Sequence, residues 1–324
     1  MKRNYRKPGL LPGFLFESYL CILSLHSMIE GATTHPTSLF WTDLKALTKV
    51  RLALSVVFSA LAGYLLGAES YKALELVLLL VGGFSLVAAS NAYNQIIETD
   101  LDSKMNRTKE RPLPTGRFSK VLALIIAFSL TILGGGLLYF LNFKTAVFGL
   151  LSVILYALVY TPLKTKTSLS VFVGAFPGAI PFMLGWVGAT GSFGIEAGTL
   201  FMIQFFWQFP HFWALAWMLD DDYKKGGFKM LPTGERDQST AFQIIVYTFW
   251  TILASITPVF GFTGKLVISI PAAIAVGISG FYMMMPALQL FNSLEVSFAK
   301  KLMLRSVIYI SLIQVIYVID HLIR

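Results

Sequence analysis

Asn94, Glu98 and Asp102 stand four residues apart in the run Asn91-Ala-Tyr-Asn-Gln-Ile-Ile-Glu-Thr-Asp-Leu-Asp. On a helix that spacing drifts only about 40° per step, so three oxygen-bearing side chains line one face. Carboxylate and amide oxygens suit a hard cation, and Mg²⁺ is usually held by a few carboxylates together with substrate phosphates. Arg107 and Arg111 follow closely, and guanidinium forks match phosphate oxygens bidentately. Pro112 and Pro114 then stop any helix. Acids beside arginines make either a metal–diphosphate site or a solvated helix end whose charges pair with each other. Asn94 favours the first reading. It sits where the preceding run is still apolar, and a polar residue at that depth marks function by default.

A second group lies in Phe205-Phe-Trp-Gln-Phe-Pro-His-Phe, where Trp207, Gln208 and His211 share an apolar span and Pro210 loosens the backbone between them. His211 is either hydrogen-bonded to a neighbouring helix or a ligand. The flanking Trp and Phe either face lipid or wall a large, flat, apolar substrate. Asp220, Asp221 and Asp222 precede Tyr223; these acids either bind a second metal or cap the loop against Lys224 and Lys225. Lys164 and Lys166 follow Tyr160-Thr-Pro, where Tyr160 is an interface anchor or a catalytic hydroxyl. No P-loop, dinucleotide fingerprint or nucleophile elbow is found. Gly134-Gly135-Gly136 and the Gly174, Gly178, Gly185 spacing read as close helix packing.

The elements that must position these residues are membrane spans. Of the 324 residues, 56% are apolar and only 13% charged, about half the charge of an average soluble domain. Mean hydropathy is +0.69. So few charges exclude an ordinary soluble enzyme, and the net charge of +9 lies in loops between apolar runs, which argues against a nucleic-acid binder. The single cysteine, Cys21, excludes an intramolecular disulfide and a cysteine-based zinc site. The stretch from Leu10 to Met28 contains Glu17, Ser18, Ser24 and His26 and no small-residue cleavage site. It reads as an interfacial segment or as sequence upstream of an alternative start at Met28.

Runs of about 20 apolar residues suffice to cross a bilayer as helices. Nine occur, near 48–68, 73–97, 119–141, 144–161, 169–189, 197–218, 240–262, 266–290 and 302–321. The fold class expected is an all-α polytopic bundle, residues 41–324, after an N-terminal extension, 1–40. Alternate loops hold 22 of the 26 Lys and Arg, and the other side only Lys72, Lys144, Lys265 and Arg324. The positive-inside rule therefore places the N-terminus in the cytoplasm and the C-terminus outside.

Together these residues resemble the UbiA superfamily of intramembrane prenyltransferases, and within it the branch that farnesylates haem. The resemblance spans about residues 40 to 321 and includes nine spans. It is carried by Asn94-x3-Glu98-x3-Asp102, Met105-x-Arg107-Thr108-x2-Arg111-Pro-Leu-Pro-x-Gly-Arg117 and Tyr160-Thr-x-Leu-Lys164. Pro181-x3-Gly185-Trp186, Trp207-Gln-x-Pro-His211-Phe and Asp222-Tyr223-x3-Gly227-x2-Met-Leu-Pro232 complete it. One departure is that Leu219 and Tyr223 stand where superfamily members often carry the acids of an Asp-x3-Asp motif.

The resemblance implies that farnesyl diphosphate and haem b combine, with water added across a haem vinyl group, to give haem O and diphosphate. Mg²⁺ on Asn94, Glu98 and Asp102 would bridge the diphosphate, and Arg107, Arg111 and Lys164 would stabilise it as it leaves. Arg117, Tyr160, Asp222 and Tyr223 are further substrate-binding candidates. Trp207, Gln208 and His211 are candidates for haem contact, His211 as iron ligand or propionate donor. The implied setting is the inner (cytoplasmic) membrane, with the active site facing the cytoplasm, and delivery of the product to haem A synthase or a terminal oxidase. The rivals are a prenyltransferase acting on an aromatic quinone precursor and a membrane transporter. Against the transporter, the polar clusters lie at one membrane face and not at the midplane on broken helices.

Overall fold

The computed structural model describes residues 37–324. The Leu10–Met28 stretch, Cys21 and the alternative start at Met28 lie outside the described residues. Helix α1 (Thr37–Thr48) ends at Lys49, whose φ of 48° turns the chain into α2 (Val50–Gly67). There follow α3 (Ala73–Asp102), α4 (Lys120–Leu141) and α5 (Phe143–Ile154). Helix α5 continues through a π-helical segment, Leu155–Tyr160, into the short turn Thr161–Leu163. The second half comprises α6 (Ser170–Thr190), α7 (Ile195–Lys225), α8 (Gln238–Ile256), α9 (Ile270–Ser293) and α10 (Val296–Ile323). Among the described residues there is no strand.

A helix stands at each of the nine expected spans, α2 to α10. Eight are long and apolar enough to cross a bilayer. The other, α7, is a 31-residue helix that carries Gln204, Gln208, His211 and three aspartates. Helices outrun the apolar runs at their charged ends: α3 reaches Asp102, α7 reaches Lys225 and α10 begins at Val296. Hydropathy marks where a helix is apolar, while the backbone ladder continues until a cap or breaker ends it. Ser119, Asn142, Asp237 and Ser269 supply such caps, each side chain accepting a backbone N–H at the start of its helix.

Helices α2 to α5 pack in sequence, as do α6 to α10, and the halves meet where α2 crosses α6 and α5 meets α6. Lipid is as apolar as leucine, so helices associate in it through close packing and internal hydrogen bonds. Both occur at the α2–α6 crossing. A Cβ on Gly185 would overlap the carbonyl of Ala60, and one on Gly63 would overlap that of Phe182. Ser59 then joins Gln204 of α7 and Gln314 of α10, whose Nε2 atoms lie 3.3 and 3.0 Å from its hydroxyl. Gln204 Oε1 accepts the Phe182 N–H at 3.0 Å, just after the kinking Pro181 in α6. Gly134 bears out the expected packing role, because a Cβ there would lie 2.7 Å from the Gly82 carbonyl, whereas Gly136 has nothing within 4 Å.

Gly185→Ala is expected to lower the detergent-solubilised melting temperature by prying α2 from α6, at a cost of about 1–3 kcal/mol for overpacking. Gly136→Ala should leave it unchanged or slightly raised. Equal melting of Gly185→Ala and the parent would contradict the backbone-to-backbone crossing.

Candidate functional site

The face predicted on α3 is formed, and it is buried. Asn94 is 2% exposed, Glu98 3% and Asp102 1%. Carboxylates so covered require counter-charges, because an ion taken out of water costs several kcal/mol. Lys164 supplies one, with Nζ 2.6 Å from Glu98 Oε1. Arg111 supplies the other, donating from Nη1 to Asp102 Oδ2 at 2.7 Å. The Arg111 pair leaves its acid unsaturated, since Asp102 Oδ1 has no hydrogen-bond partner, whereas Glu98 Oε1 is the oxygen that Lys164 meets. Two carboxylates, one with an open oxygen, and an amide are a donor set suited to Mg²⁺, which keeps water and phosphate ligands besides a few from protein. Among the described residues no three His, Cys, Asp or Glu side chains lie close enough to hold a metal alone.

The cations arrive on segments that the fold brings together. Lys164 follows the π-helical segment and lies over the rings of Tyr160, at 4.8 Å, and Phe228, at 5.3 Å. A Cβ on Gly174 would lie 2.7 Å from the Tyr160 ring, so that glycine makes room for it. Phe228 meets Tyr223 edge-on at 5.9 Å, and Arg107 lies 5.9 Å from the Tyr223 ring. Tyr160, Lys164, Phe228, Tyr223 and Arg107 thus form one chain of cation and ring contacts around the acids.

Lys49 belongs to the same neighbourhood, since its charge interacts with Arg111, Lys164, Glu98 and Asp102. Its left-handed backbone costs a non-glycine residue about 1–2 kcal/mol. The turn is stitched by α3, where Gln95 Nε2 donates to the carbonyls of Ala46, at 3.0 Å, and Leu47, at 2.7 Å. Sequence reasoning assigned Lys49 only to the cytoplasmic charge excess. Its sole further signal was its place directly before an apolar run.

Asp222 is a latch. Its carboxylate accepts the backbone N–H groups of Asn106 at 2.7 Å and Arg107 at 3.1 Å, tying the α3–α4 loop to the end of α7. Burial pushes its pKa up, but these two bonds, with Lys225 and Arg107 nearby, more than offset that and hold it below the ordinary value of 3.8. The latch is therefore fully present above that value and is lost as the pH falls through the lowered one. Asp220 pairs with Lys224 at 2.7 Å and Asp221 with Arg236 at 3.1 Å. Arg117 donates to the Glu110 carbonyl at 2.9 Å, closing its own loop.

The α7 group divides. Gln208 turns to α6, donating to the Ala175 carbonyl at 2.8 Å, and a Cβ on Gly178 would overlap its Oε1. Trp207 and His211 turn to α10, their rings stacked 4.8 Å apart. Trp207 Nε1 donates to the Ser306 carbonyl at 2.6 Å, and His211 Nδ1 lies 2.9 Å from Ser306 Oγ. Ser306 gives its one hydroxyl proton to the Met303 carbonyl at 2.7 Å. With the hydroxyl proton on Met303, Ser306 accepts from Nδ1, and in that tautomer the neutral imidazole carries its lone pair on Nε2.

A family model for the UbiA prenyltransferase family matches residues 56–308. The chain is 60% identical over 290 residues to a protein of Christiangramia forsetii named protoheme IX farnesyltransferase, covering 90% of this chain and 97% of that one. A protein of the same name from Flavobacterium psychrophilum is 60% identical over 296 residues, covering 90% and 98%. Among solved structures, a digeranylgeranylglyceryl phosphate synthase superposes with a TM-score of 0.73 at 17% identity, covering 88% of this chain and 99% of that one. A UbiA homologue from Archaeoglobus fulgidus bound to GPP and Mg²⁺ gives 0.64 at 15% identity, with 87% and 100% covered.

Asp222→Asn replaces a charge-assisted pair of hydrogen bonds, worth about 1.5–3 kcal/mol, by neutral ones. The expected result is faster proteolysis after Lys104 and Lys109 and a several-fold higher KM for the diphosphate substrate. Unchanged cleavage and unchanged KM would remove the latch from the site.

Proposed function

The chain belongs to the UbiA prenyltransferase family, and on that footing we propose that it transfers the farnesyl group of farnesyl diphosphate to a vinyl group of haem b. The observation that carries the reaction class is the buried acid face, with each carboxylate paired to a cation and Asp102 still holding an open oxygen. The acceptor follows from the relatives, whose name is protoheme IX farnesyltransferase and whose likeness extends over nearly the full length of both chains.

Asn94, Glu98 and Asp102 are the residues that would hold Mg²⁺, whose chemistry is to neutralise diphosphate oxygens as the allylic C–O bond breaks. Arg111 and Lys164 stand within ion-pair distance of those acids, so their donors face the developing charge before the reaction begins. Tyr160 and Phe228 flank Lys164 and help keep water from an allylic cation. Farnesyl C1 then bonds to the terminal vinyl carbon, and the porphyrin ring stabilises the cation left on the inner carbon. Water adds there and loses a proton, giving haem O, and the C–O electron pair departs with diphosphate. Between α2, α3, α5 and α6 an apolar cavity of about 30 Å³ is lined by Val57, Ala60, Gly83, Leu86, Gly149 and Leu184. That is water-sized, so a prenyl chain in this region displaces side chains.

His211, stacked on Trp207 and presenting Nε2, is our candidate for the haem contact, as an iron ligand. The excess of Lys and Arg at the end of the bundle that carries the acids supports a cytoplasmic active site in the inner membrane, with residues 41–324 as the catalytic domain. Transfer of the product to a haem-modifying enzyme or a terminal oxidase belongs to the same reading.

The test is incubation of the purified protein with haem b, farnesyl diphosphate and Mg²⁺, followed by mass spectrometry of the extracted pigment. A haem heavier by one farnesyl group plus water is expected. Unmodified haem from protein that prenylates an aromatic acid would overturn the acceptor. Asp102→Ala should abolish turnover at ordinary Mg²⁺, and full activity would sink the metal assignment. His211→Ala is expected to weaken haem binding at least tenfold, read by Soret titration, while diphosphate binding persists. An unaltered Soret titration would return the residue to a packing role.

A further inference from the structure

Thr161 is 2% exposed and opens the turn that follows the π-helical segment of α5. Its backbone N–H and its hydroxyl both donate to the carbonyl of Tyr156, the hydroxyl at 2.8 Å. A hydroxyl has one proton, so Oγ1 has only lone pairs left for its other neighbour. That neighbour is Nδ2 of Asn94, at 3.1 Å. The amide of Asn94 must therefore turn its NH₂ to Thr161, which leaves Oδ1, the only end able to ligate a cation, free of that bond.

The π-helical segment makes this contact. In an α-helix the Thr161 N–H would bond to the residue four back, and the threonine would point elsewhere, since each residue turns the helix by about 100°. One extra residue in the ring swings Thr161 onto Tyr156 and towards α3. Pro162 contributes by having no N–H to give the ladder. Single π turns inside α-helices are frequent at functional sites.

We propose that Thr161 is a positioning residue of the metal–diphosphate site, holding the amide of Asn94 with Oδ1 as its ligating atom. The proposal rests on the reading of Asn94 as a Mg²⁺ ligand. Outer-shell partners of metal ligands typically account for 10–100-fold in metal affinity.

The experiment measures Mn²⁺ binding by electron paramagnetic resonance on the full chain in detergent, with farnesyl thiodiphosphate as the unreactive diphosphate. Parent, Thr161→Val, Thr161→Ser and Asn94→Ala are compared, and thermal melting checks that each is folded. Thr161→Val keeps the shape and removes the hydroxyl, and should weaken Mn²⁺ binding about tenfold, whereas Thr161→Ser should stay within about twofold of the parent. If Asn94→Ala weakens binding but Thr161→Val does not, the proposal is overturned and the metal reading stands. If Thr161→Ser weakens it as much as Thr161→Val, the hydroxyl is not the carrier and the proposal falls. If Asn94→Ala binds Mn²⁺ as the parent does, the ligand reading fails and takes the proposal with it.

Discussion

Two carboxylates held almost out of water at a membrane edge are the constraint from which the cytoplasmic half of this molecule follows. Glu98 and Asp102 each need a cation at contact distance there, since a charge out of water costs several kcal/mol, and no residue of α3 itself provides one. Arg111 must come back from the loop beyond the helix, and Lys164 must come from the end of α5. The ion pairs thus fix where two connecting segments lie. Replacing a buried pair with apolar side chains is often neutral for stability, whereas removing one partner strands the other charge. Retaining both pairs, with an oxygen left open on Asp102, makes more sense as preparation for a ligand than as support for the fold. A magnesium diphosphate brings charges of both signs, and the acids and cations already stand where each sign is needed.

Holding those segments falls to contacts outside the acid face. Asp222 grips two backbone N–H groups of the α3–α4 loop, and the Phe228 and Tyr223 rings continue the contact to Lys164 and Arg107. Deeper in the bilayer the problem changes, because apolar surface gains nothing from leaving lipid. There Gly63 and Gly185 let two backbones touch, and Ser59 with Gln204 and Gln314 joins three helices through side chains that would be costly if unpaired.

The part of this legible in the sequence is what periodicity and charge record. Apolar runs of bilayer length located the helices, and the four-residue spacing of Asn94, Glu98 and Asp102 survived folding as one buried face because a helix repeats that spacing. Lys49 was hidden, since one cation among 22 on the loop side carries no mark of the backbone turn that aims it at the acids. Which helix Gln208 serves was hidden for a related reason. His211 follows it by three residues on the same helix, yet Gln208 turns to α6 and His211 to α10, and packing against Gly178 places Gln208. Asp222 is a substrate-binding candidate on sequence, and its hold on two main-chain donors of another loop is a contact that no spacing signals.

The same device recurs at Asn94 and at His211. In each case a hydroxyl gives its only proton to a carbonyl of its own helix, Thr161 to Tyr156 and Ser306 to Met303. It is then obliged to accept from the functional side chain on another helix. In water such an arrangement would be one of many, since solvent donors and acceptors would exchange with it. In an interior without water, a broken hydrogen bond has no substitute, and few assignments are open to the network. The amide and the imidazole are thereby each left with a defined lone-pair-bearing atom, Oδ1 in one and Nε2 in the other. Both are neutral donors suited to a metal centre. The orientation of the two functional groups thus comes from the meeting of helices, helped at Thr161 by the π-helical segment before it.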